Sequence, residues 1–165
     1  MSLCLKRKSI RDYKPDSIEE DKITALLKSA MQAPNAVNQQ PWEFYVITNR
    51  NLLDKLGDMS NGSRHLKKAP LAILTLIDQN CKRPEMAPTD LAAATENILL
   101  EAVNQDLGGL WIGVHPREER IKAVREIIDL PSHLSPFSLV AIGVPNQSTE
   151  VTNYRYDETK ITRLD

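Results

Sequence analysis

No apolar run in this 165-residue chain is long. The longest, such as Ala69 to Ile77, fall far short of the ~20 residues a membrane-spanning helix needs. The opening MSLCLKRKSIRDY holds no apolar stretch of signal-peptide length, which disfavours secretion. Cysteine is scarce. Cys4 and Cys81 form no metal or redox spacing, so a reduced, cytoplasmic setting is expected. Neither sign of charge dominates: 21 Lys+Arg face 22 Asp+Glu, for a net charge of -1. Neither nucleic acid nor an anionic membrane is therefore expected as the main partner. The histidines (His65, His115 and His133) lack metal-ligand spacing, and there is no G-x-S-x-G elbow, P-loop or G-x-G-x-x-G. No metal is expected. A chain with so little reactive chemistry of its own acts as an enzyme only if a cofactor supplies the reactivity.

What is present is an ordinary globular composition, 41% hydrophobic and 26% charged. The length fits one domain spanning residues 1–165. Ser17-Ile18-Glu19-Glu20 reads as a capping box opening a helix from Ile18 to Gln32, with Ile23, Leu26, Leu27, Ala30 and Met31 on one face. Pro34 ends it. Strands are expected at Trp42–Ile47, Leu71–Ile77, Leu110–Val114 and Leu139–Val144, the second buried on both faces. Asn49 caps a short helix ending near Gly57, Thr89 caps a long one from Asp90 to Asp106, and another runs from Pro116 to Ile128. Residues 145–165 lack an apolar face and read as a tail lying across another surface. Helices mixed with separated strands give an α/β or α+β layered domain, and the pattern alone does not choose between them.

Two segments could carry chemistry. Arg7, Ser9 and Arg11 fall on one side of an extended chain, where two guanidinium groups and a hydroxyl suit a phosphate. The same residues also fit a solvated basic terminus. The loop Asn35 to Gln40 gathers amides that suit a heteroaromatic ring edge, or it is an ordinary polar loop. Gly108, Gly109 and Gly113 permit close backbone approach to a ligand, or stop a helix and end a strand.

Taken in order, several segments resemble the nitroreductase family of flavin enzymes. These are KRKSIRDY at 6–13, APNAVNQQPW at 33–42, KAP at 68–70, DLAAATENILL at 90–100, LGGLWIG at 107–113 and NYRYD at 153–157. The resemblance implies an α+β fold with a mostly antiparallel sheet wrapped by helices, and a homodimer with an FMN at each of two interface sites. It implies that Arg7, Ser9 and Arg11 hold the FMN phosphate, with Lys8 near the ribityl chain or ring and Arg155 arriving on the tail. Pro34, Asn35, Ala36 and Asn38 match the loop that reaches the flavin from the other subunit. Gly113, Val114 and His115 match the segment along the flavin ring, where His115 either donates a proton or shapes the loop. The implied activity is FMN-dependent transfer of hydride from NAD(P)H to an electron-poor small molecule such as a nitroaromatic or quinone; the alternative is a non-catalytic flavin-binding protein of the same fold. The chain departs from the pattern at Asn35-Ala36, at His115-Pro116 and in the short segment Asp78 to Pro88.

Overall fold

The structure, a computed structural model, describes residues 2–152 and 155–164. Four strands form one sheet: β1 (Trp42–Ile47), β2 (Leu71–Asp78), β3 (Gly108–Gly113) and β4 (Leu134–Gly143). Their order is β1-β2-β4-β3, and every pairing is antiparallel. The helices are α1 (Leu3–Lys6), α2 (Glu20–Met31), α3 (Arg50–Asp58), α4 (Ala87–Asn104) and α5 (Glu118–Ile127). The fold is therefore α+β.

Alternation along β2 and β4 explains why both are nearly continuous apolar runs. Ala72, Leu74 and Leu76 of β2, with Leu139 and Ala141 of β4, pack against Leu53 and Leu56 of α3 and Val124 of α5. The residues between them, Leu71, Ile73, Val140 and Ile142, pack on the other face against α2 and α4 through Leu26, Ala30, Ile98 and Ala102. Side chains one apart point to opposite faces, so a sheet covered on both sides needs apolar residues at every position.

Several boundaries differ from expectation for local reasons. Helix α2 starts at Glu20 with Glu19 at its N-cap and no side-chain cap, so the Ser17 capping box does not form. Helix α4 starts at Ala87, with Pro88 in its first turn, where a missing N–H costs nothing. Asn49 does cap α3, its side chain accepting from Leu52 N at 3.1 Å. Strand β4 begins at Leu134, although Pro136 argues against a central strand. The proline is accommodated because β2 and β4 shift register there: Thr75 pairs with Ser138 and Leu76 with Pro136, leaving Phe137 as the extra residue of a bulge. Strand β3 reaches only to Ser138, so Pro136 has no ladder bond to withhold on that side.

Gly108 and Gly109 do not stop α4. Asp106, at φ 57°, takes the left-handed position just past its end. The glycines instead admit close packing: a Cβ on Gly108 would come within 2.5 Å of Ile10, and one on Gly109 within 2.5 Å of Leu99. Ser9 thereby lies alongside Gly109 in a parallel bridge, and Ile10 N donates to Gly109 O at 3.0 Å. The segment after α1 is thus an extended edge on β3.

The start of the tail is tied to that same edge. Tyr13 bridges Pro145, and Asn146 N donates to Asp12 O at 3.0 Å. Gln147 Oε1 accepts from the N–H groups of Arg11 and Asp12 at 2.8 and 3.1 Å. Residues 155–164 are exposed and irregular apart from one short turn of 3-10 helix at Glu158–Lys160.

Candidate functional site

The extended segment sorts its side chains by alternation. Lys8 and Ile10, with Lys6 from the end of α1, line a cavity of about 710 Å³ between the end of α4 and the tail. There the Lys8 amine donates to Glu150 O at 2.8 Å. Arg11 faces a different cavity, and the half-buried Arg7 reaches Glu96 of α4, Nε to Oε1 at 3.5 Å. Lys8 is therefore parted from Arg11.

The cavity at Arg11 is about 340 Å³ and lies at the open end of β3. Arg11, Arg64 and Arg120 line it together with His65, Trp111 and Gly113, and no carboxylate does so among the described residues. Arg120 Nη1 donates to Gly113 O at 2.6 Å. Arg64 is held by the carbonyl and side-chain oxygens of Asn61. Partial burial, and after it the charges of Arg64, Arg11 and Lys68, push the His65 imidazole below its ordinary range. The Arg11 carbonyl, 3.1 Å from its Nδ1, pulls the other way. Three guanidinium groups without a lining carboxylate make this the natural seat of an anion.

Gly113 has a backbone conformation open to any residue, and a Cβ there would meet nothing within 4 Å. Neither backbone nor packing in this chain requires glycine. Its hydrogen leaves one wall of the cavity flat. Val114 is fully buried, so only its backbone can face a ligand. Val114 N and His115 N both donate to Phe137 O, at 3.1 and 2.9 Å, and the His115 ring stacks on Phe137 at 5.9 Å. The bulge in β4 thus aims the Gly113–His115 segment.

Pro34, Asn35 and Asn38 line a third concavity of about 500 Å³. Their loop carries three non-glycine residues in left-handed conformations: Val37 (φ 48°), Asn38 (φ 53°) and Gln40 (φ 48°). Asn35 Oδ1 accepts from Gln40 N at 2.8 Å, and Ala36 N donates to Asp90 Oδ1 at 3.0 Å. Arg155 lies exposed on the tail and lines none of these cavities.

Arg11 and Gly113 are brought together, as are Pro34, Asn35 and Asn38; the two groups do not meet within one protomer. No motif in the sequence singles out Arg64, His65, Arg120 or Asp90 as a site residue. The first two sit in a basic run, Arg64 to Lys68, whose spacing points to no ligand.

Residues 4–79 and 61–144 match the profile of the Nitroreductase family. The chain belongs to that family. A relative in Archaeoglobus fulgidus, provisionally named NADH dehydrogenase/NAD(P)H nitroreductase, is 41% identical over 91% of this chain and 90% of its own. The crystal structure of a Clostridium acetobutylicum protein, provisionally named NADH oxidase, superimposes with a TM-score of 0.94 at 45% identity, covering 98% of each chain. An FMN-dependent nitroreductase of Clostridium difficile gives 0.92 at 30% identity, covering 99% of this chain and 98% of that one. A nitroreductase fold therefore carries the three cavities described above.

Proposed function

We propose that this nitroreductase-family chain is an FMN-dependent oxidoreductase that moves hydride from NAD(P)H to an electron-poor acceptor such as a nitroaromatic or a quinone. The observation that carries the reading is the Arg11–Arg64–Arg120 cavity beside Gly113, where the donor set suits an anionic group and the missing Cβ leaves room for a flat ring. The names of two relatives, NAD(P)H nitroreductase and FMN-dependent nitroreductase, support it.

When bound, FMN supplies the two-electron chemistry that the side chains lack. The chain's own part is to bind and orient it. Arg11, with Arg64 and Arg120 in the same cavity, holds the anionic end; the resemblance adds Arg7, Ser9, Lys8 and Arg155, none of which lines that cavity within one protomer. Gly113 and the Val114 backbone lie along the ring, and His115 is fixed beside it by Phe137. The protein works as a homodimer of single-domain chains, in which Pro34, Asn35, Ala36 and Asn38 reach the partner's cofactor and residues 145–165 lie across the dimer. In one protomer Val37 is 61% exposed and Leu164 92%, apolar surface that such an assembly would cover.

The test is direct. The purified protein should be yellow, bleach with NAD(P)H, and recover its colour on adding a quinone or nitroarene. A yellow protein that NAD(P)H does not bleach is a flavin-binding protein without this activity. A colourless one that takes up no FMN refutes the reading.

A further inference from the structure

Asp90 is 4% exposed and stands in the first turn of α4. Among the described residues no Lys or Arg pairs with it. A buried carboxylate without a counter-cation is costly unless both oxygens are hydrogen-bonded. Both are, and both to one loop. Oδ1 accepts from Ala36 N at 3.0 Å, and Oδ2 accepts from Gln39 Nε2 at 2.7 Å. The hydrogen bonds found for this carboxylate go to the loop and none to the N–H groups of its own helix.

The loop needs such an anchor. A β-branched residue in the left-handed region is a genuine outlier, and such conformations persist only where the surroundings over-determine them. Val37 adopts one while 61% exposed, so burial within the protomer does not account for it. Gln39 is fixed in turn by the segment before α4: Arg83 N donates to its Oε1 at 2.7 Å, and its Nε2 donates to Arg83 O at 3.2 Å. That contact sets the amide with its NH2 toward Asp90. Position 90 must then offer two acceptors, one to Ala36 and one to Gln39. A carboxylate does so; an asparagine in either orientation sets donor against donor.

We propose that Asp90 is a positioning residue that holds the 35–40 loop in the shape presenting Asn35 and Asn38 to the cofactor of the partner subunit. This rests on the FMN reading above.

The experiment uses the full-length protein reconstituted with FMN. FMN affinity is measured by fluorescence quenching, the ring environment by visible circular dichroism at saturating FMN, and fold stability by the melting temperature without FMN. Asp90→Asn should weaken FMN binding about 10- to 100-fold, the equivalent of one unsatisfied buried donor, and should change the visible dichroism of the saturated protein. The double variant Asp90→Asn/Gln39→Glu restores a donor–acceptor pair between the two side chains and should recover part of both losses. Gln39→Ala removes one of the two contacts while leaving Asp90 in its helix, and should shift both readouts the same way if Asp90→Asn does not fold. A lower melting temperature with unchanged affinity and dichroism in Asp90→Asn, or in Gln39→Ala if that variant alone folds, would make the carboxylate merely structural and overturn the proposal. If the parent itself takes up no FMN, the functional reading fails first and the role of Asp90 falls with it.

Discussion

Arg120 Nη1, in the first turn of α5, donates a 2.6 Å hydrogen bond to the carbonyl of Gly113, the last residue of β3. The guanidinium thus fixes a backbone position whose side-chain space is left open. Emptiness held rigidly in place on a cationic cavity wall is what ligand binding requires and what folding alone does not.

Alanine at two glycines separates those demands. Gly113→Ala adds a methyl that meets nothing within 4 Å, whereas Gly108→Ala puts one 2.5 Å from Ile10. In urea denaturation Gly113→Ala should change stability by no more than about 0.5 kcal/mol, and Gly108→Ala should cost about 1–3 kcal/mol by overpacking. FMN affinity should fall in Gly113→Ala despite its intact fold. Equal affinity in parent and variant would remove Gly113 from the site.

The cationic cluster makes its own prediction. Arg7→Ala and Arg11→Ala should each weaken FMN binding by about 1.5–3 kcal/mol, the range for hydrogen bonds to charged groups. Titrations at matched ionic strength check this, and an unchanged dissociation constant in either variant would detach that residue from the cofactor.

The legible parts of the fold are those whose cause lies close in the chain. Strand β2 is an unbroken apolar run, and Asn49 caps α3 through a residue three positions on. Alternation over residues 7, 9 and 11 needs only an extended backbone, yet Arg7 caps the end of α1 and reaches Glu96 while Arg11 faces another cavity. The illegible parts depend on partners far away in sequence. The Asp90 carboxylate meets Ala36 across 54 residues, and Arg11, Arg64 and Arg120 come from three separate segments. The early start of β4 was hidden by Pro136, which only the bulge at Phe137 and the short reach of β3 allow. Ser17 and Glu20 spell a capping box that the structure does not use, since α2 begins at Glu20 itself.

Tyr13 links pH to stability. Its hydroxyl donates to Ile10 O at 2.6 Å and also lies 3.3 Å from Ala141 O, and burial pushes its phenol far above the ordinary value. A folded-state value raised above the unfolded one gives stability that is complete below about pH 10. It is lost as pH rises further, because the unfolded phenol releases its proton first. Tyr13→Phe should cost about 1 kcal/mol near neutrality and flatten the decline above about pH 10. Parallel alkaline urea curves for parent and variant would show that Tyr13 carries none of it.

Among the described residues, the tail is bonded to the rest of the protomer near its start. Pro145 to Glu150 is bonded to the segment at Lys8 to Tyr13, while Tyr156 is 76% exposed, Ile161 49% and Leu164 92%. Asn153 and Tyr154 lie outside the described residues. Polar chain ends fray by default, yet a frayed end gains nothing from three large apolar side chains. Their placement fits a second protomer covering them and Arg155 being carried to its cofactor. Truncation before Asn153 keeps the anchored half, so it should leave the protomer folded while lowering both the dimer fraction in light scattering and FMN affinity. Arg155→Ala should lower mainly the latter. A truncated protein that remains dimeric, yellow and as heat-stable as the parent would show that the tail takes no part in the site and that Arg155 does not bind the cofactor.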